Sequence, residues 1–474
     1  MAHMSVLGCE FIAVRRSPIR SMRPLPSSPA EDASAQILPR PVVVLIAGVL
    51  SGLSWGGAPS EFGAFSSINY PVAISRWSDL PSDLLGRILQ LLELPEALSL
   101  SAVCKSWSSA AAAAGVPRSC TPWLMSWSRY PVEDPQGRLC HTEFRSLLDA
   151  CKAYDVSFSR ASSLAWCGAS HGWLVAVDEL SNLLLCNPFT FATIPLAPIT
   201  DLDCVEAVHD SEGSVVGYLF GKNKNQNVIG AKSIGTWFYQ KAVLSCAPSK
   251  GGDYTTMLIH FDLNQISFAM AEGRWRLAST LPQESKDRYA DCVYHRGRFY
   301  ALTMHGILEM WDLDDGSCEP TKSVFFPSGD GKYRNVFLRF LVSTPWGDLL
   351  QIRFLRLSHG TKRIKVQVRL VDIKKNRLVK LRSSAVFQKH AVFVGQNHSA
   401  CLPTKNFPEL KPNCVYFTRY WLVNRENWGF GSEGVGGVGI YNLQSDVLEE
   451  AFPSYEHEYS DYLLPSEVWI TPNL

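Results

Sequence analysis

The sequence lacks a charge excess of either sign: 45 Lys and Arg residues face 44 Asp and Glu residues in a chain of 474. Nucleic-acid-binding domains usually carry a marked basic excess, so this balance gives no reason to expect such a partner. The longest apolar run, Val42 to Leu50, falls short of the ~20 residues that cross a bilayer and starts too late for an ordinary signal peptide. We therefore expect neither a nucleic acid nor a membrane as partner.

Motifs for metal, redox and phosphate chemistry are also missing. Thirteen cysteines are scattered without a C-x-x-C pair, and no Cys/His cluster has zinc-ligand spacing, so we expect reduced intracellular thiols. Neither an H-E-x-x-H motif nor a P-loop occurs. The sequon Asn397-His398-Ser399 is then a chance match. We predict no catalytic, cofactor-binding or metal-binding residues, and a protein that is not an enzyme.

One glycine motif needs a separate interpretation. Gly429 to Gly434 spells G-x-G-x-x-G, which binds a dinucleotide when it follows a strand and opens a helix. Here the following residues, Val435 to Tyr441, are rich in glycine and then strand-like. We interpret the motif as a flexible hairpin loop.

The first 74 residues differ from the rest. They combine Arg15-Arg16, a Pro/Ser/Ala-rich segment and the short apolar run. We predict a poorly ordered extension without assigned function, and an organellar transit sequence is left open.

A short helical unit is predicted over residues 75–118. Its first helix is indicated by apolar residues on one side, with Ser82 as the cap and Asp83 in the first turn. Those apolar residues are Leu84, Leu85, Ile88, Leu91 and Leu92. Pro95 ends this helix and opens a second one, on which Leu100, Val103, Cys104 and Trp107 share a face.

This unit is too small to bury so much apolar surface by itself. Domains of about 40 residues usually need a metal, a disulfide or a partner, and the sequence offers neither of the first two. We expect a partner protein to cover the apolar face. The alternative is that the leucines pack against the rest of the same chain.

The unit resembles the F-box motif. The matching residues are Leu80-Pro81-x-x-Leu84-Leu85-x-x-Ile88-Leu89, then Leu98, then Val103-Cys104-Lys105-x-Trp107. The resemblance implies docking on the Skp-type adaptor of SCF (cullin-RING) ubiquitin ligases, with Trp107 and Leu80 as anchors. The implied adaptor-binding residues are Leu80, Pro81, Leu84, Ile88, Leu98, Val103, Cys104, Lys105 and Trp107.

The remaining residues, 119–474, predict a large all-β domain. Short apolar runs separated by turn residues form hairpins, such as Trp173–Val177 with Leu183–Leu185 and Phe299–Leu302 with Ile307–Trp311. Comparable runs recur about every 40–50 residues, as in the four-stranded blades of a β-propeller. The fold class predicted is a small all-α module followed by a propeller of about six or seven blades.

This domain resembles the Kelch-like, propeller-type domain of unknown function that follows the F-box in plant proteins. The matches include Ser170 to Leu174, Leu183 to Thr190, Tyr294 to Ala301, and Phe407 to Phe417. The resemblance implies a non-catalytic substrate receptor in the cytoplasm or nucleus, which bridges the adaptor, and through it cullin and RING subunits, to a target protein. Two alternatives stay open: a small-molecule- or glycan-binding propeller whose F-box controls turnover, and an organellar protein without ligase function.

Overall fold

The computed structural model describes the chain in segments, and it divides at residue 120 into two compact units. The described residues are 80–92, 97, 100, 103–114, 121–129, 140–147, 153–156, 165–187, 192–221, 227–235, 237–248, 253–261, 264–313, 321–325, 336–356, 364–407, 409–418, 438–451 and 467–471. The predicted N-terminal extension and the G-x-G-x-x-G loop lie outside them. Within the described residues, none of the helices has the length and apolar character needed to cross a bilayer.

The first unit contains two described helices, α1 (Ser82–Leu91) and α2 (Lys105–Ala114). The carbonyl of Pro81 accepts the N–H groups of Leu84 and Leu85 at 3.0 and 3.1 Å, so α1 starts directly after the proline. The predicted cap at Ser82 is wrong, because Ser82 is already helical and no side chain caps this start. Asp83 lies in the first turn, where its charge complements the helix dipole.

The second predicted helix also needs correction. Val103 and Cys104 precede α2 rather than lying on it, whereas Ala97 and Leu100 are helical further upstream. The chain therefore bends before Lys105, and the apolar residues on either side of the bend do not share one continuous helix face. Pro95 lies outside the described residues.

The two helices pack against each other around a core of their own. This core consists of Leu80, Leu85, Ile88, Leu89, Leu92, Ala97, Leu100, Trp107 and Ala110. Trp107 is fully buried there, which makes it the largest contributor to the apolar area that the unit hides from water. The expectation that a unit this small could not bury its own apolar face is wrong for these residues.

The second unit is built from antiparallel strands with one exception. In chain order the strands are β1 (Trp123–Arg129), β2 (Cys140–Arg145), β3 (Ala153–Val156), β4 (Ala165–Ser170), β5 (Trp173–Val177), β6 (Leu183–Cys186), β7 (Thr193–Pro195), β8 (Val205–His209), β9 (Val215–Phe220), β10 (Ile229–Gly230), β11 (Tyr239–Leu244), β12 (Thr255–His260), β13 (Gln265–Met270), β14 (Arg276–Thr280), β15 (Tyr289–His295), β16 (Arg298–Thr303), β17 (Leu308–Asp312), β18 (Thr321–Phe325), β19 (Val336–Ser343), β20 (Leu349–Arg356), β21 (Ile364–Asp372), β22 (Arg377–Lys380), β23 (His390–Val394), β24 (Ala400–Pro403), β25 (Cys414–Thr418), β26 (Val438–Asn442), β27 (Val447–Glu450) and β28 (Glu467–Ile470). Two short helices are α3 (Ala231–Ile234) and α4 (Ser383–Val386).

These strands form seven described sheets. Their strand orders are β28-β1-β2-β3, β4-β5-β6-β7, β10-β9-β8, β11-β12-β13-β14, β15-β16-β17-β18, β19-β20-β21-β22 and β24-β23-β25-β26-β27. Five of them contain four strands, as in propeller blades. Four of these sheets use consecutive strands, and the fifth combines the last strand, β28, with β1 to β3. The exception to antiparallel pairing is β23 with β25.

Contacts between the inner strands give the order of the blades around the ring. They link β28 to β4, β4 to β11, β11 to β15, β15 to β19, β19 to β24, and β25 back to β28. Because β4 meets β11 directly, the three-stranded sheet β8–β10 does not stand between them, although its residues share a core with both neighbours. The described strands thus form a ring of six blades and one additional sheet, and the predicted propeller is confirmed.

The predicted hairpins are confirmed by the strand pairing. β5 pairs with β6 so that Val177 faces Leu183, and β16 pairs with β17 so that Phe299 faces Trp311. The β15–β16 hairpin has a two-residue turn, in which Arg296 and Gly297 both have the positive φ that a type I′ turn requires. Trp173, Trp275 and Trp311 are buried between strands, as expected of packing residues.

The last described strand closes the ring. β28 pairs with β1, with Ile470 opposite Trp123 and Glu467 opposite Ser126. Trp469 on β28 is 1% exposed, and its ring lies 5.1 Å from that of Phe393 in the preceding blade. Since β28 contributes both a ladder and a large buried aromatic, ring closure depends on packing as well as on hydrogen bonds.

Replacing Trp469 with alanine should destabilise the propeller by about 3–5 kcal/mol, because the substitution removes the contacts of the indole with Phe393 and Tyr416 and leaves a cavity. Urea unfolding of the full chain measures this. Met270→Ala is the matched control, since Met270 is 65% exposed and should change little. Equal stability of the two variants would contradict the closure role of Trp469.

Candidate functional site

The structure divides the predicted adaptor-binding residues into two groups. Leu80, Ile88 and Trp107 point into the core of the helical unit, with exposed fractions of 7%, 1% and 0%. In this structure these three side chains hold α1 against α2. Their contact with an adaptor, and the role of Leu80 and Trp107 as anchors, stay predictions.

The other residues of that group remain reachable. Pro81 and Lys105 are exposed, and Leu84, Val103 and Cys104 are half-buried at the margin of the same core. They belong to the segments where the chain enters α1 and α2. Direct contact with an adaptor stays a prediction for these five residues. Leu98 lies outside the described residues.

Cys104 has the clearest local electrostatics of the five. Its carbonyl accepts the N–H of Ser108 at 2.9 Å, and its Sγ lies 3.2 Å from the Ser106 hydroxyl. Burial acts to raise the pKa of the Cys104 thiol, but hydrogen bonds from the Ser106 hydroxyl and from the backbone N–H groups of Trp107 and Ser106 outweigh it, so the pKa is lowered. The thiol thus acts as a helix N-cap.

A buried ion pair lies at the inner edge of the propeller. Lys241 on β11 donates from Nζ to Asp291 on β15, and both side chains are almost fully buried. The second carboxylate oxygen of Asp291 accepts the N–H of Leu341 on β19 at 2.6 Å. Burial raises the pKa of Asp291, while Lys241 and the N–H donors act in the opposite direction. The pair connects the inner strands of three successive blades.

The segment between β23 and β24, residues 395–399, contacts the inner strands β4, β11 and β15, and we call it the central segment. Lys241 Nζ donates to the carbonyl of Gly395 at 2.9 Å, and Gln396 donates to the carbonyl of Gln240 at 2.7 Å. The N–H of His398 donates to the carbonyl of Ala169 on β4 at 2.6 Å. The N–H of Tyr294 on β15 donates to His398 Nε2 at 3.3 Å. One blade therefore supplies a segment that is hydrogen-bonded to the inner strands of three others.

The central segment is closely packed. A Cβ on Gly395 would lie 2.1 Å from Thr418 Oγ1, so no larger residue fits there. Asn397 is 2% exposed and donates to the carbonyl of His398 at 3.0 Å. In the folded chain this asparagine is therefore not accessible to a glycan, in agreement with our interpretation of its sequon as a chance match.

A serine motif that the sequence analysis missed lies beside this segment. Residues 168–172 read Gly-Ala-Ser-His-Gly and match G-x-S-x-G. A nucleophile elbow turns from a strand into a helix, but here the turn connects β4 to β5, and Ser170 Oγ accepts the N–H of Leu244 at 3.1 Å. The imidazole of His171 instead stacks on His398 with ring centroids 5.4 Å apart. The motif here belongs to a hairpin.

Most of the cysteines with described side chains are buried. Eight cysteines are free, and burial raises the pKa of six of these to about 11 or 12, or beyond that range, among them Cys186, Cys204 and Cys414. No group of three or more His, Cys, Asp or Glu residues with metal-binding geometry occurs in the described part of the chain.

Comparison with known proteins assigns both units. The family model of the F-box domain matches residues 77–113, and the model described as KIB1-4 beta-propeller matches residues 144–442, more than half of the chain. An F-box unit followed by a propeller is therefore the class that the fold and the match define. The chain belongs to the KIB1-4 beta-propeller family.

Similar proteins are found in Arabidopsis thaliana. "F-box protein At2g14290" is 30% identical over 84% of this chain and 98% of its own length. "Putative F-box protein At4g22660" is 32% identical and "F-box/kelch-repeat protein At1g57790" 30% identical, over 26% and 25% of this chain. This chain spans only about a third of the length of these two relatives, 31% and 32%.

The solved structures that match are distant in sequence. The beta-propeller domain of Cps50 (Swd1) from Myceliophteria thermophila aligns with 61% of this chain and 84% of that chain at 10% identity, with a TM-score of 0.24. A score this low carries no argument about function or blade geometry.

Breaking the central ion pair should have a large and asymmetric effect. Lys241→Met leaves the Asp291 carboxylate buried and unpaired, which should cost about 3–5 kcal/mol of unfolding free energy. The double variant Lys241→Met with Asp291→Asn should be more stable than Lys241→Met alone, because the orphaned charge is removed. Urea unfolding followed by tryptophan fluorescence measures both.

The control is the exposed pair of Arg298 and Asp312, which are 2.7 Å apart with side chains 47% and 26% exposed. Arg298→Met should cost less than about 1 kcal/mol. If Lys241→Met were no more destabilising than this control, the central role of the buried pair would be refuted.

Proposed function

We propose that this protein is the substrate-recognition subunit of an SCF-type ubiquitin ligase. In this role the helical unit binds a Skp-type adaptor, and through it the cullin and RING subunits, while the propeller captures a target protein. The observation that carries the proposal is the presence of an F-box match and a propeller match in one chain. The protein itself forms and breaks no bonds.

The contribution of such a subunit is physical proximity. Tethering a target near the ubiquitin-charged enzyme raises the effective concentration of its lysines and makes the transfer step nearly intramolecular. This task requires two stable binding units and no catalytic group. The separate core of the helical unit and the ring closure of the propeller are consistent with that requirement.

The alternative with a small molecule or glycan in the propeller channel has less support. The central segment hydrogen-bonds to the inner strands β4 and β11, where such a ligand would lie. A ligand at this level would have to displace buried protein groups that already satisfy one another.

Adaptor binding tests the proposal on the full chain. Pro81→Ala combined with Leu84→Glu should weaken co-purification with a Skp-type adaptor by about tenfold or more, because the two side chains are reachable at the margin of the core. Ala113→Glu, an exposed change at the other end of α2, should bind as wild type. Circular dichroism checks that the helices persist in both variants.

The variant Trp107→Ala distinguishes direct effects on adaptor binding from indirect effects that act through the fold of the helical unit. It should remove binding only by unfolding the helical unit, since the tryptophan is fully buried. Unchanged adaptor binding by the Pro81/Leu84 variant with intact helices would reject the proposed docking edge. If the wild-type chain itself failed to bind any Skp-type adaptor, the ligase role would be rejected.

We also propose a cytoplasmic and nuclear location, where SCF assemblies act. A fluorescent tag at the C-terminus should give cytosolic and nuclear signal at the full chain length on immunoblots. A shortened product in an organelle fraction would instead support the transit-sequence alternative for the N-terminal residues.

A further inference from the structure

The turn between β19 and β20 holds an exposed tryptophan in a fixed position. Trp346 is 43% exposed, yet its indole N–H donates to Asp348 at 2.9 Å and its ring lies 5.1 Å from the ring of His390. Two contacts from different elements thus orient the ring, while its remaining surface faces water. Exposed, preoriented tryptophans are typical of protein-binding hot spots.

An arginine from the neighbouring blade lies beside this turn. The guanidinium of Arg296 covers the backbone of Gly347 so closely that a Cβ there would lie 1.8 Å from Nη2. Arg296 is exposed, and its side chain makes no hydrogen bond or ion pair with the described residues. The guanidinium is therefore adjacent to Trp346 and retains its donors for a ligand.

Further cations lie in turns of the same blade and of the adjoining one. The register of β19 to β22 places Lys374 and Lys375 in a turn at the same end of the sheet as Trp346. Lys389 precedes His390, and Lys405 follows Thr404, whose hydroxyl donates to the Lys389 carbonyl at 3.1 Å. All four lysines are exposed, with no side-chain ion pair to another described residue.

The nearby carboxylates are already engaged. Asp348 accepts the Trp346 indole N–H, and Asp372 pairs with Arg377 at 3.3 Å. This surface is therefore basic in a chain whose overall net charge is only +1. Gln388, the residue before Lys389, lines a cavity of about 620 Å³ together with Arg382 and Gln444.

We propose that this Trp346 surface, defined by Trp346, Arg296, Lys374, Lys375, Lys389 and Lys405, binds an acidic peptide segment that carries an apolar or aromatic side chain. That side chain packs on the indole, while flanking Asp and Glu carboxylates accept from Arg296 and the lysines. A protein ligand is favoured over a nucleic acid because the basic charge is local and centred on a single indole. The proposal rests on the proposed function only in assigning the peptide to a ligase target.

The test uses an array of short synthetic peptides in which one phenylalanine is flanked by increasing numbers of Asp and Glu. A matched array carries Asn and Gln instead. The full-length chain should retain the acidic peptides, with retention falling as salt rises, and should bind the amide versions about tenfold more weakly. Trp346→Ala and Arg296→Glu should each weaken binding of the retained peptides by about tenfold.

Two matched changes elsewhere control for charge and apolar area. Arg274→Glu, in the exposed turn between β13 and β14, and Met270→Ala should both bind as wild type. The proposal would be overturned if no acidic peptide is retained, if Arg296→Glu binds like Arg274→Glu, or if a single-stranded DNA oligonucleotide binds this surface more tightly than the peptides. Loss of adaptor binding with intact peptide binding would reject the ligase role and leave this site standing.

Discussion

The architecture of the propeller centre depends on one buried ion pair. Lys241 and Asp291 come from neighbouring blades, and their remaining hydrogen bonds reach the N–H of Leu341 on a third blade and the carbonyl of Gly395 on a fourth. Removing two charges from water costs several kcal/mol per ion, so the pair is tolerable only because each partner is satisfied by protein groups. That requirement fixes the relative positions of the strands that supply them.

The helical unit follows a different principle. Its core is entirely apolar, formed by residues from the two helices and their flanking positions around Trp107. Such a core stabilises the unit without any directional constraint. Pro81 and Lys105 are exposed outside this core, so their side chains contribute little to its packing.

The sequence predicted local structure well and long-range contacts poorly. Alternating apolar runs and turn residues were sufficient for the hairpins, because both signals arise within about ten residues. The burial of Leu80 and Trp107 in the core of their own unit was missed. An amphipathic pattern shows which face is apolar, but not whether the same chain or a partner covers it. Lys241 and Asp291 are separated by 50 residues, and nothing local connects them. The sequence signal for such a buried pair was a single charged residue within an otherwise apolar strand.

The pairing of β28 with β1 has a consequence for biosynthesis. The first sheet receives its innermost strand from residues 467–470, which are translated after all the other described strands of the ring. During translation, β1 has an unpaired edge. Such an edge can pair with strands of other nascent chains. The ring can therefore close only after its last described strand has been translated.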